Sequence, residues 1–74
     1  MSGPEEGGVT IVINGEPRQV AGEVTLDTAV SMVTSAATGV AAALNGDVIR
    51  RAAWESTRLA AGDEVEVVTA VQGG

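Results

Sequence analysis

The chain has 74 residues, of which 45% are hydrophobic, and it carries a formal net charge of −6. This length allows one domain with a small core, and the absence of Cys and His excludes a disulfide and a conventional zinc site as reinforcement. The acidic balance argues against nucleic-acid or anionic-membrane partners, which need a basic face; it suits partners with basic surfaces, although acidic residues more often serve solubility alone.

No apolar run approaches the length of a membrane span, and no apolar segment of the signal-peptide kind follows the N-terminus. We therefore expect a soluble cytoplasmic protein without a bound cofactor or metal.

The N-terminal part is predicted to be a disordered leader followed by a β-hairpin. Residues 1–8 are rich in Gly, Pro and Glu, which does not support a packed structure. Residues 9–13 are short and β-branched, so they predict a strand, and the Asn-Gly pair at 14–15 predicts a tight turn. Residues 16–20 return as the second strand, which should lie at the sheet edge because Pro17 has no N–H to donate.

One helix is predicted to follow. Thr25 can cap its N-terminus, and Asp27 suits the positive end of the helix dipole. Gly39 predicts a C-cap somewhere past Ala37. The apolar stripe of this helix has helical spacing and consists of Leu26, Ala29, Val30 and Val33.

A second hairpin is predicted after the helix. Residues 40–44 form a short apolar run between Gly39 and the Asn-Gly pair at 45–46, which favours a strand, and residues 47–50 would return beside it. Residues 51–57 are interpreted as an irregular or 3₁₀ turn. Trp54, the one aromatic residue, is expected to plug the core there.

The last strand leads directly into the segment where we place the function. Residues 61–64 predict a turn, residues 65–71 an apolar strand, and residues 72–74 (QGG) a flexible tail. Because Gly73 and Gly74 lack a Cβ, a narrow channel in a partner protein can close around their backbone. The tail reaches about 10 Å beyond residue 71, enough to carry the Gly74 carboxylate into an active site.

These elements predict an α+β domain over residues 9–71, with the helix on one face of the sheet. The first and last strands are the most apolar and are expected side by side and parallel in its middle. Val65 and Val67 would then face the core together with Ile11 and Ile13. The predicted docking surface on the opposite face, beside the tail, consists of Val12, Val68, Ala70 and Gln72.

The chain is not expected to be an enzyme. It lacks the commonest general base, His, and the best thiol nucleophile, Cys, and it has no Lys to complete a phosphate-binding loop. Its reactive group is the Gly74 carboxylate, which adenylation by ATP would convert into an acyl donor; sulfur could then replace oxygen to give a thiocarboxylate.

The chain resembles the ThiS sulfur carriers of thiazole biosynthesis, members of the ubiquitin-like β-grasp superfamily. The resemblance covers everything except the leader. The residues that carry it are 13–16 (INGE), 43–49 (ALNGDVI), Trp54, 57–59 (TRL), 61–68 (AGDEVEVV) and 71–74 (VQGG).

The resemblance implies a β-grasp fold and a defined set of partners. Gly74 would be adenylated by a ThiF-like enzyme, receive sulfur from a cysteine desulfurase system, and deliver it to the thiazole synthase ThiG. It also implies that Gly73 and Gly74 are the functional residues and that Val68 and Ala70 lie on the partner-binding face. The carrier is expected to be a monomer when free.

Three alternatives remain open at the level of sequence. The chain could supply sulfur to molybdopterin, cysteine or a natural product instead of thiamin. It could be a ubiquitin-like modifier joined to target amines through Gly74. It could also be a plain interaction domain whose Gly-Gly end has no role.

Overall fold

A computed structural model of the chain describes residues 8–35 and 38–69. These residues form a mixed five-stranded sheet with strand order β2-β1-β5-β3-β4 and one α-helix packed against one face. The α+β class expected from the sequence is confirmed. The elements in chain order are β1 (Gly8–Ile13), β2 (Glu16–Ala21), α1 (Leu26–Val33), β3 (Val40–Leu44), β4 (Asp47–Ile49), the 3₁₀ helix η1 (Arg51–Ser56) and β5 (Glu64–Thr69).

The first hairpin forms as its turn residues predict. Asn14 and Gly15 both have positive φ, 52° and 84°, which gives a turn whose twist matches that of the flanking strands. β1 and β2 pair antiparallel, and β2 is an edge strand, as expected from Pro17. β1 begins at Gly8, one residue earlier than predicted; residues 1–7 lie outside the described residues.

The helix begins as predicted but ends earlier. Thr25 is its N-cap, and the Thr25 hydroxyl oxygen accepts a hydrogen bond from the Thr28 N–H at 3.5 Å. The predicted end past Ala37 is wrong, because Thr34 already has extended backbone angles (φ −153°, ψ 147°) and α1 ends at Val33. Thr34 is β-branched and loses side-chain freedom in a helix, which favours an end at this position. Gly39, with φ 72°, lies in the connection to β3 instead of capping the helix.

Trp54 anchors the second half of the fold. Its side chain is buried, and its indole N–H donates to the Ile49 carbonyl oxygen at 2.9 Å. The Arg51 guanidinium covers the ring at 5.2 Å from its centroid. The expected 3₁₀ turn and core plug are both confirmed, while β4 ends at Ile49, one residue before the predicted boundary.

The central pair of strands is β1 and β5, which are parallel as expected. β5 also pairs antiparallel with β3, over residues 65–69. Alternate residues of the two central strands face α1, as the two-residue period predicts. The largest fully buried side chains in the core are Ile11, Ile13, Leu26 and Val65.

Candidate functional site

The predicted site extends past the part of the chain that the structure describes. Gly73 and Gly74, and the docking residues Ala70 and Gln72, lie outside the described residues. The structure describes β5 as far as Thr69, five residues before Gly74. Of the predicted site, the structure therefore describes β5 and the sheet face around it.

The side chain of Asn14 holds β5 beyond the point where β1 ends. The backbone pairing of β1 with β5 reaches Val65, whose carbonyl oxygen accepts from the Asn14 N–H at 2.8 Å. Two residues further on, the Val67 N–H donates to Asn14 Oδ1 at 2.8 Å, and Asn14 Nδ2 donates to the Val67 carbonyl oxygen at 3.3 Å. The Asn14 side-chain amide thus makes the two hydrogen bonds that the backbone of one more β1 residue would make. It fixes β5 two residues before the end of its described part.

The other hairpin turn holds the beginning of β5 in a similar way. Asn45 also has positive φ, 51°, and its N–H donates to the Glu64 carbonyl oxygen at 2.7 Å. Its Oδ1 accepts from the Glu64 N–H at 2.9 Å, and its Nδ2 donates to Asp63 Oδ1 at 3.2 Å. Both turn asparagines therefore position the strand that leads to the tail.

Sequence reasoning recognised both asparagines as turn residues and missed these contacts. Asn14 and Val67 are separated by 53 positions, so no local pattern connects them. The side-chain amide of a turn Asn at positive φ lies close to the end of the strand that precedes the turn. The presence of Asn in each turn is therefore the one sequence signal that could have indicated these contacts.

We define the open face as the sheet face opposite α1, formed by alternate residues of the strands. Val68 lies on it with 61% of its surface exposed, beside Ala41 of β3. Val12 is half-buried and lies beside Glu64, four residues before Val68 along β5. This spacing corresponds to about 13 Å, so Val12 and Val68 do not form one continuous apolar patch.

The open face contains one exposed apolar residue that the sequence reasoning did not single out. Val48 of β4 is 78% exposed and lies directly opposite Ala43, which in turn lies opposite Glu66. Directly paired residues share a face, so Val48 belongs to the same surface as Val68. Its place could have been read from the two-residue alternation that follows the Asn-Gly turn.

The described residues contain no group of three or more His, Cys, Asp or Glu side chains placed to hold a metal ion. Over the same part of the chain, no helix has the length and hydropathy needed to cross a membrane.

Comparison with known proteins gives a family match and matches to solved structures. The model of the ThiS family matches residues 11–74. Among solved structures, the crystal structure of a thiamine biosynthesis protein (ThiS) from Geobacter metallireducens is similar, with 30% sequence identity and a TM-score of 0.74. The match covers 89% of this chain and 100% of that chain. A search of curated proteins gives no match.

Proposed function

The chain belongs to the ThiS family, and from that premise we propose that it is a sulfur carrier of thiamin biosynthesis. The observation that carries the proposal is the extent of the family match, which runs to Gly74 and so includes the Gly-Gly end. The match to the Geobacter protein over its entire length supports it further. The protein is a substrate of its partner enzymes in this role and performs no catalysis itself.

The proposed chemistry takes place on the Gly74 carboxylate. One carboxylate oxygen attacks the α-phosphorus of ATP in the active site of a ThiF-like enzyme, which releases pyrophosphate and leaves an acyl adenylate. A sulfur nucleophile derived from a cysteine desulfurase system then attacks the acyl carbon. AMP leaves with the oxygen. Where the nucleophile is a persulfide, the product is an acyl disulfide, and a thiol of the donor system cleaves its S–S bond and becomes part of a disulfide, so that the acyl carbon retains one sulfur. The resulting thiocarboxylate supplies sulfur to a thiazole synthase of the ThiG kind.

The fold suits this role because β5 combines a rigid base with a short extension. Asn14 and Asn45 hold β5 on its two sides, and the central position of β5 in the sheet ties it to the core. A carboxylate at the end of a short glycine tail on such a base can enter a partner's active site while the body remains outside. We propose Gly73 and Gly74 as the residues that enter, with Val68, Ala70 and Gln72 closest to the channel mouth and Val12 further along the docking face.

Intact-mass measurement tests the proposal directly. After incubation with ATP, a ThiF-like enzyme and a cysteine desulfurase system, we expect a mass gain equal to the replacement of one oxygen by sulfur. The gain should disappear when ATP is omitted and when Gly74 is deleted, whereas a Gly3→Ala variant, altered in the leader, serves as the matched control and should behave as wild type. Conjugates with other proteins through an amide bond, in place of the thiocarboxylate, would contradict the carrier role and support a protein modifier.

A further inference from the structure

The open face contains a concavity between the two hairpin turns, at the beginning of β5. Its volume is about 510 Å³, ample for one long side chain, since pockets of about 300–1,000 Å³ hold whole small molecules. Gly15 and Gly46 lie at its rim, and an added Cβ at either would meet no atom within 4 Å, so the mouth is open. The residues that give it its chemical character are Val12, Ala43, Glu64 and Glu66.

The concavity combines apolar walls with negative charge. Val12 and Ala43 contribute the apolar surface, and Glu64 and Glu66 are exposed carboxylates two residues apart on the same face of β5. Among the described residues, neither carboxylate has an ion-pair partner. The two charges are therefore available to a group from outside the chain.

Within the described part of the molecule, no Arg that belongs to a strand lies on the open face. Arg18 of β2 pairs directly with Ile11, which places it on the face toward α1. The remaining arginines lie outside the strands, at positions 50, 51 and 58. Of these, Arg50 directly follows the end of β4. When the strand register is continued by one residue, Arg50 lies in line with Val68, which is four residues along β5 from Glu64.

A Lys or Arg side chain fits this combination of surfaces. Such a side chain has an apolar stem and a cationic head, so the stem can cover Val12 and Ala43 while the head reaches the carboxylates. A purely apolar side chain would leave Glu64 and Glu66 desolvated without a partner, which is unfavourable. A second copy of this chain could offer one of its four Arg side chains, but its net charge of −6 opposes self-association.

We propose that the concavity receives a Lys or Arg side chain of the enzyme that activates the tail. This inference rests on the proposed function and adds the chemistry by which that enzyme recognises the carrier. The eight residues from Glu66 to Gly74 span at most about 29 Å, which is comparable to the width of a standard interface of about 800 Å² per partner. A protein that holds Gly74 in its active site therefore lies close enough to cover the concavity as well. The activating enzyme is the partner that must select the unmodified carrier.

The test removes the two charges and preserves the shape of the side chains. The double variant Glu64→Gln, Glu66→Gln is compared with wild type in an assay of ATP-dependent pyrophosphate release by the ThiF-like enzyme. We expect KM for the carrier to rise about three- to tenfold with kcat unchanged, because interface charges act on encounter and binding and not on the chemistry of adenylation. The difference in KM should shrink as salt is raised toward 1 M, where the Debye length falls to about 3 Å.

Glu55→Gln is the matched control. Glu55 is an exposed carboxylate in η1, which packs against α1 on the other side of the sheet, so its loss should leave KM unchanged. The single substitution Glu66→Arg, which reverses the charge, should raise KM further than Glu66→Gln.

Three results would overturn the inference. A KM for the double variant within about twofold of the Glu55→Gln value would mean that the concavity does not contribute to recognition. A rise in KM that is the same at low and high salt would exclude a charged occupant, and a fall in kcat at constant KM would exclude a docking role. If a competent enzyme does not adenylate even the wild-type chain, the proposed function itself fails; if it does, these comparisons test the docking inference alone.

Discussion

At the scale of single residues, Asn14 has the most consequential contacts. It adopts the positive φ that the β1–β2 turn needs, and its amide makes two hydrogen bonds to the backbone of Val67. Backbone groups of a strand beyond the end of its neighbour would otherwise lack protein partners on that side. Asn14 therefore connects the first hairpin to the strand that leads to the tail.

Replacing Asn14 by Gly should measure these two hydrogen bonds. Gly accepts the positive φ of position 14 without strain, so the substitution removes mainly the amide contacts. We expect a loss of about 1–2 kcal/mol in the free energy of unfolding, measured by urea denaturation. Gln19→Gly, at an exposed position of β2, is a control for the flexibility that Gly adds. An Asn14→Gly loss no larger than the Gln19→Gly loss would show that the Val67 contacts contribute nothing to stability.

At the scale of elements, α1 depends on packing more than on its own sequence. It is eight residues long, well below the length at which isolated helices are stable in water, and it contains Thr and Val, which form helices poorly. Leu26, Ala29 and Val30 are buried against the sheet. The apolar stripe thus holds the helix, and the Thr25 cap determines where it begins.

The helix offers two apolar side chains for a matched comparison. Leu26 is fully buried, whereas Met32 is 38% exposed on the same helix. Leu26→Ala should lower the free energy of unfolding by about 2–5 kcal/mol, because it removes buried methyl groups and leaves a cavity. Met32→Ala should cost much less. Equal shifts of the urea midpoint for the two variants would contradict the view that packing holds the helix.

At the scale of the whole molecule, stability should be highest at the centre of the sheet, from which the tail extends. β1 and β5 have a hydrogen-bonded strand on each side and supply much of the core, whereas β2 and β4 are edge strands. A chain of this length has a total free energy of unfolding of about 4–11 kcal/mol. β5, the strand that leads to residues 70–74, is therefore expected to stay in place when the edge strands open.

Native-state hydrogen exchange should reveal this gradient. We expect the slowest amide exchange in β5 and β1, at residues such as Val65 and Ile13, and much faster exchange in β4. The edge strand β2 gives the internal comparison, since it has the same length as β1 but one neighbour fewer. Slowest exchange in β4, or uniform exchange across the sheet, would contradict the expectation that β5 is the stable base of the tail.

The sequence by itself determined most of the features that depend on neighbouring residues. The Asn-Gly pairs predicted both hairpin turns because few residues tolerate positive φ, and Pro17 predicted an edge strand because it lacks an N–H. The two-residue period predicted which residues of β1 and β5 face the core. The end of α1 was predicted wrongly because Gly39 carries a strong local signal, whereas Thr34 leaves the helix without one.

Only the tertiary structure decided the features that depend on strand register and on contacts between distant residues. The amide of Asn14 reaches Val67 because β1 ends two residues too early to pair with it. Val12 and Val68 share the open face, yet the register places them four residues apart along β5, with Glu64 beside Val12 and Glu66 between the two. The concavity follows from the same register, which brings two turns 31 positions apart, at Gly15 and Gly46, to its rim. A local pattern specifies the conformation of each strand, but the offset between paired strands is set by how all of them pack around one core.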